Sequence, residues 1–175
     1  MTLRTMRGDR LHIGFFGRRN AGKSSLINTL TGQNVAIVSE TPGTTTDPVY
    51  KSMELSPLGP VVCIDTAGID DKDDNLGKER IKRAEKILQR TDLALLIIDA
   101  SMHDIKFEKT LVEKFSEHKI PWIGIINKID SSAPNPVLIS WFDEIGKKPV
   151  LTSSLKKKGI DLLKKKIIKT APENW

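Results

Sequence analysis

Nine residues near the start of the chain, Gly17-Arg18-Arg19-Asn20-Ala21-Gly22-Lys23-Ser24-Ser25, dictate a local fold that few sequences can adopt. The spacing of Gly17, Gly22, Lys23 and Ser24 fits GxxxxGK[ST], a loop that needs a strand before it and a helix after it. Both neighbours are present: Leu11-His12-Ile13-Gly14-Phe15-Phe16 reads as the strand, and Lys23 to Leu30 as the helix. In such a loop, successive backbone N–H groups of residues such as Ala21, Gly22 and Ser25 wrap a phosphate, and the helix points its positive end at it. Lys23 then reaches the β and γ oxygens, and Ser24 offers a hydroxyl to Mg²⁺. A glycine-rich turn with a surface lysine would be the plain alternative. By composition, a match this long arises in fewer than about one chain in a hundred of this size.

The rest of the chain repeats the strand-then-helix alternation. Short apolar runs suited to strands buried on both faces lie at Leu11 to Phe16, Val49 to Leu55, Pro60 to Asp65, Leu93 to Asp99, Pro121 to Ile126 and Pro149 to Leu151. Amphipathic stretches lie at Lys23 to Leu30, Gly77 to Gln89, Ile105 to His118, Pro136 to Ile145 and Gly159 to Lys169. This pattern predicts an α/β fold with a mostly parallel six-stranded sheet and helices on both faces, binding its ligand beyond the carboxyl ends of the strands. At 175 residues and 38% hydrophobic content the chain suits one domain, read as an N-terminal arm 1–10, a domain 11–170 and the start of a linker at 171–175.

Two further motifs fall at such strand ends. Asp65-Thr66-Ala67-Gly68 places a carboxylate where it can hold Mg²⁺ through water, and Gly68, lacking a Cβ, lets its N–H approach a γ-phosphate. Asn127-Lys128-Ile129-Asp130 selects the base: Asp130 can accept from both N1–H and the exocyclic amine of guanine, and adenine has no such pair of donors. The stem of Lys128 can lie across the ring, while Asn127 can tie this loop to the phosphate loop. Together with the first motif these point to GTP and GDP as ligands.

Composition narrows the rest. The lone Cys63 lies in an apolar run, so neither a disulfide framework nor a metal cluster can be assembled from this chain, and a buried structural thiol is expected. His12, His103 and His118 are scattered and read as surface or strand-edge residues. No run approaches the roughly 18 apolar residues of a membrane span, and Met1 to Arg10 has no apolar signal core, so a cytoplasmic protein without a membrane partner is expected. The net charge of +6 gathers late, in Lys147-Lys148, Lys156-Lys157-Lys158 and Lys164-Lys165-Lys166. Ile160, Leu163 and Ile167 recur at helical spacing there, which leaves many of these lysines on a solvated face, and no aromatics interleave with them, so nucleic acid is not the expected partner.

With these motifs in order, the chain resembles the translation-factor-like GTPases of the bacterial tRNA-modification and ribosome-assembly type, with a Ras-like P-loop G domain. In that resemblance Asn20 to Asn28 is the phosphate loop, Gly43-Thr44-Thr45-Thr46-Asp47 the first switch, and Ser153-Ser154-Leu155 the last guanine loop. Thr45 matches the threonine that closes over Mg²⁺, with Thr44 and Thr46 adjacent in register, and the Ser154 N–H is matched to the group that reads guanine O6. Where Ras-type proteins carry a water-orienting glutamine, this chain has Ile69, which can neither donate nor accept a hydrogen bond. The resemblance implies a substitute: relatives with asparagine at the position of Asn20 hold K⁺ against the phosphates, although Asn20 could instead only stabilise the loop. A carboxylate beyond the second motif positions the water in those relatives; Asp74, in Asp70-Asp71-Lys72-Asp73-Asp74, is the candidate here, beside the alternative of a merely solvated acidic loop.

A closer resemblance is to the GTPase domain of the HydF family of iron-iron hydrogenase maturation factors. It rests on Arg7-Gly8-Asp9-Arg10, on Thr41 to Leu55, on Pro57-Leu58-Gly59-Pro60-Val61 and on Ala171-Pro172-Glu173-Asn174-Trp175. This implies a slow GTPase switch with Mg²⁺ and an activating K⁺, partnered by radical-SAM maturases. It also implies dimerisation and cluster-binding domains missing from this chain, which by itself would hold no iron-sulfur cluster. The alternatives are an RNA-associated or ribosome-associated assembly GTPase and a nucleotide-gated scaffold.

Overall fold

The computed structural model describes residues 10–32, 48–66 and 78–175. Within these, six strands alternate with five helices: β1 (Leu11–Gly17), α1 (Lys23–Thr31), β2 (Val49–Leu55), β3 (Gly59–Asp65), α2 (Lys78–Leu88), β4 (Leu93–Asp99), α3 (Lys106–Glu117), β5 (Trp122–Asn127), α4 (Pro136–Glu144), β6 (Val150–Leu151) and α5 (Ile160–Thr170). They form one sheet in the order β2-β3-β1-β4-β5-β6, parallel throughout except for β2 against β3. The exception is dictated by length, because the turn 56–58 is too short for the crossover that a parallel pair requires. The predicted α/β class, with a mostly parallel six-stranded sheet, is thus the observed one.

Alternation along the strands sorts the apolar residues into two cores. Phe15, Leu95, Ile97 and Ile125 pack with Leu26, Ile27, Leu163 and Ile167 on the face covered by α1 and α5. Phe16, Leu96, Ile98 and Ile126 pack with Ile87, Leu111, Phe115, Leu138 and Phe142 on the face covered by α2, α3 and α4. Every residue of β4 from Leu93 to Ile98 is therefore buried, which is why its run reads as continuously apolar. Cys63 lies in the first core, and burial pushes its thiol up to about 12, so it stays protonated and unreactive.

Element ends differ from the predicted ones by a residue or so. Pro121 and Pro149 have no N–H for the ladder, so β5 and β6 begin one residue later, at Trp122 and Val150. The α4 start follows its local chemistry, with Pro136 opening the helix and the Asn135 side chain accepting from the Val137 N–H at 3.0 Å. Among the described residues no helix is long and apolar enough to cross a membrane. Thr45, Gly68, Ile69, Asp74 and the arm 1–9 lie outside the described residues.

Candidate functional site

Parallel strands deliver their carboxyl ends to one edge of the sheet, so Gly17, Asp65, Asp99, Asn127 and Leu151 end their strands on a common side. From Gly17 the chain makes a single 3₁₀ turn, Arg19–Ala21, closed by the Ala21 N–H donating to the Arg18 carbonyl at 3.1 Å, and then enters α1. Gly22, at the junction, has φ +95°, and a Cβ there would stand 2.5 Å from the Asn127 Nδ2. Only glycine satisfies both the backbone angle and that close approach. Lys23 is buried, its Nζ donating to the Gly17 carbonyl at 2.5 Å, so the ammonium sits inside the loop that it closes. The Ser24 hydroxyl donates to Asp65 Oδ2 at 2.7 Å, joining two hard oxygen donors from the first two motifs. That donor set suits Mg²⁺.

Asn127 organises the other end. It is 1% exposed; its Nδ2 donates to the Ala21 carbonyl at 3.0 Å, and its Oδ1 accepts from Thr152 Oγ1 at 2.9 Å and from the Ser154 N–H and Oγ, both at 3.3 Å. One amide thereby links the phosphate loop to the loop after β6. Lys128 adopts φ +66°, unusual for a side-chain-bearing residue, and this reversal lets the next residues turn out of the strand line. Its Nζ donates to the Asn20 carbonyl and lies 3.3 Å from Asp99 Oδ2. Partial burial works against the Asp99 charge, yet the Ser101 N–H and hydroxyl together with Lys128 hold its carboxyl below the usual range.

Asp130 is exposed at the mouth. Its Oδ1 accepts from the Ser153 hydroxyl at 2.6 Å, and this bond, helped by the Ser131 hydroxyl and the charge of Lys156, keeps the carboxyl ionised below its ordinary range. Ser153 and Lys158 exchange backbone hydrogen bonds of 3.0 Å each, which closes the intervening loop and leaves Leu155 at its tip 78% exposed. Between these loops opens a cleft of about 550 Å³ lined by Gly22, Ser25, Asn127, Lys128, Asp130, Ser154 and Leu155, within the size range of small-ligand sites.

The structure thus brings together Asn20, Ala21, Gly22, Lys23, Ser24, Ser25 and Asp65 with Asn127, Lys128, Asp130, Ser153, Ser154 and Leu155. Among the described residues nothing hydrogen-bonds the Asn20 side chain; only its carbonyl is engaged, so its amide oxygen is a neutral donor of the kind that suits a monovalent cation. Sequence reasoning placed Asn28 only at the end of the phosphate-loop segment, and missed Thr29, Ser131 and Lys157 on the cleft wall and Thr152 and Asp99 behind it. Thr29 had a signal available, standing four residues after Ser25 on one face of α1, and its hydroxyl donates to the Ser154 carbonyl at 3.3 Å.

Residues 12–128 match the family model described as 50S ribosome-binding GTPase. The tRNA modification GTPase MnmE of Coxiella burnetii is 39% identical over 158 residues, 89% of this chain and 34% of that protein. Its namesake in Legionella pneumophila (strain Paris) is 42% identical over 154 residues, 86% of this chain and 32% of the relative. The chain spans about a third of the length of these curated relatives. Among solved structures, Aquifex aeolicus Era bound to GDP·AlF4⁻ superposes with a TM-score of 0.70 at 29% identity, over 94% of this chain and 57% of that one. The G domain of the T. maritima FeoB iron transporter gives a TM-score of 0.67 at 25% identity, over 92% and 98%. A phosphate loop, a serine–aspartate pair and a guanine-selecting loop, bound into one cleft by a buried asparagine, accord with all of these: the chain belongs to the 50S ribosome-binding GTPase family and is a GTP-binding G domain related to MnmE and Era.

Proposed function

We propose that this domain hydrolyses GTP slowly and works as a switch whose nucleotide state alters partner binding. The observation that carries this reading is the Asn127 amide, which places the Lys23 loop and the Asp130 loop at the two ends of one cleft. Asp130 would accept from the guanine N1–H and amine, Lys128 and Leu155 would flank the base, and Ser154 would face O6 with an N–H now in a long 3.3 Å bond to Asn127. Ala21, Gly22, Ser24 and Ser25 would surround the phosphates with backbone N–H groups, while Lys23 turns from the Gly17 carbonyl to the β and γ oxygens. Ser24, with Asp65 and Thr45, would hold Mg²⁺, which when bound supplies positive charge against the departing phosphate. Asn20 would hold K⁺ in the role that Ile69 cannot fill; that no described residue hydrogen-bonds its side chain supports this over a purely loop-stabilising role. Gly68 and Asp74 are assigned by motif and resemblance, as the γ-phosphate sensor and the water-positioning carboxylate.

The finer reading is that residues 11–170 form the G domain of a cytoplasmic hydrogenase maturation protein, flanked by an arm 1–10 and a linker beginning at 171–175. Its support is the HydF-like segments around Arg7, Thr41 to Leu55, Pro57 to Val61 and Ala171 to Trp175. Radical-SAM maturases are then the partners, and cluster binding and dimerisation belong to other domains of such a protein. A second reading, an RNA-associated or ribosome-associated assembly GTPase, is favoured by the MnmE and Era relatives, one Era structure containing nucleotides 1506–1542 of 16S ribosomal RNA.

Hydrolysis at equal ionic strength should run faster in KCl than in NaCl, with the difference abolished in Asn20→Ala; a wild-type rate indifferent to the cation removes the K⁺ role. Because Ser153 holds the Asp130 carboxyl low, its ionised form survives as pH falls below the usual carboxylate range. In Ser153→Ala that carboxyl should titrate higher, so GDP affinity should begin to fall at a higher pH than in the wild type, measured by fluorescence titration on acidification. Capture of purified radical-SAM maturases by the GTP-analogue state and not the GDP state would uphold the hydrogenase reading. Salt-sensitive retention of 16S ribosomal RNA without maturase capture would favour the second.

A further inference from the structure

The turn that carries Asn20 is tied from two sides. Towards the base, the Ala21 carbonyl accepts from Asn127 and the Asn20 carbonyl from Lys128. From the other side comes a helix that contributes nothing to the cleft. Arg18 reaches α3, where its Nε donates to Glu108 Oε1 at 2.7 Å and its Nη2 to Glu108 Oε2 at 3.1 Å; the Nη2 also donates to the carbonyl of Asp104, just before the helix, at 2.8 Å. Glu108 is 1% exposed, and the Arg18 guanidinium also stands 5.9 Å from the centre of the Phe107 ring.

Burying the Glu108 carboxylate against an Arg18 side chain that is itself 32% exposed is a poor choice where stability alone is required, since apolar side chains of similar volume stabilise such a place at least as well. What a two-pronged guanidinium–carboxylate contact supplies is direction. Direction is needed here, because the turn is not fully backed by packing: a cavity of about 50 Å³ lies between it and the sheet, lined by Asn20, Ala21, Ile97 and Met102 together with Arg18 and Glu108. With space behind it, the turn stands where its ties put it. Arg18 also provides the carbonyl that closes the turn onto Ala21, so side chain and backbone of one residue connect α3 to the loop.

We propose that Glu108 is a positioning residue for the phosphate loop, fixing through Arg18 where the Asn20 turn stands relative to the phosphates. This rests on the reading of Asn20 as the cation-holding residue and extends it to α3, 88 residues further along the chain than Asn20. It makes α3 a place from which contact with another molecule would alter hydrolysis without touching the nucleotide.

The test compares the 175-residue chain with Arg18→Gln and with the double variant Arg18→Met/Glu108→Leu, which replaces the buried carboxylate and its partly exposed partner by apolar groups and so guards against simple unfolding. Each is measured for kcat and KM for GTP, for the KCl concentration of half-activation, for GDP affinity and for melting temperature. A displaced turn should lower kcat about tenfold, since small misplacements at a reacting centre are costly, and raise the KCl requirement several-fold. GDP affinity should stay within about threefold, as the Lys23 and Asn127 contacts remain. The double variant should melt at or above the wild-type temperature and keep the kinetic defect. A double variant with wild-type kcat and cation response, or an Arg18→Gln chain changed only in melting temperature, would overturn the proposal. If wild-type hydrolysis ignores K⁺, the role given to Asn20 falls, and kcat of the two variants still decides whether α3 positions the loop.

Discussion

The carboxamide of Asn127 is the interaction on which the site depends. It sits at the end of β5, shielded from water, with its donor on the phosphate loop and its acceptor on Thr152 and Ser154. An amide is suited to this because it offers donor and acceptor on one rigid plane, so two loops far apart in sequence are held at a fixed separation. Each such bond is worth only about 1 kcal/mol net, but a buried partner left unpaired costs about 1–3 kcal/mol, so the network is stable only when complete. The same crowding explains Gly22: the amide occupies the space that a side chain would need.

The sheet makes that arrangement reachable. β1 and β4 lie in the middle, and all the strands that end at the site run parallel, so the phosphate loop after β1, Asp65 at the end of β3, Asp99 at the end of β4 and Asn127 at the end of β5 arrive at one edge. The two apolar cores back this edge from both faces, with α1 and α5 side by side against the sheet on one and α3 packed against β4 on the other. Packed elements beneath and loops above are the usual setting of a ligand site. The Arg18–Glu108 ion pair connects α3 to the phosphate loop.

The fold was legible because burial on both faces writes itself as short continuous apolar runs such as Leu93 to Ile98, and because each motif has to follow one of them. The cleft was legible where its chemistry is local in sequence: Lys23 with Ser24, and Asn127 with Asp130. What could not be read were contacts between distant residues carrying ordinary side chains. Arg18 and Glu108 are separated by 90 positions, Lys128 and Asn20 by 108, and neither Glu108 nor Asp99 belongs to a recognisable spacing. Their roles follow from packing geometry, which composition does not encode. The late lysines show the converse: helical spacing alone foretold that Ile160, Leu163 and Ile167 would be the buried positions of α5. Lys147 departs from a simply solvated lysine: though exposed, its ammonium stands 4.3 Å from the Trp122 ring centre and donates to the Trp122 carbonyl at 3.2 Å.

The central claim, that one buried amide makes the phosphate loop and the guanine loop a single binding site, is tested most directly by calorimetric titration of GDP into wild-type chain and Asn127→Ala. The account predicts a loss of about a hundredfold or more in affinity, equivalent to about 2.7 kcal/mol, with the secondary structure retained by circular dichroism. A folded Asn127→Ala chain that binds GDP within twofold of wild type would contradict it.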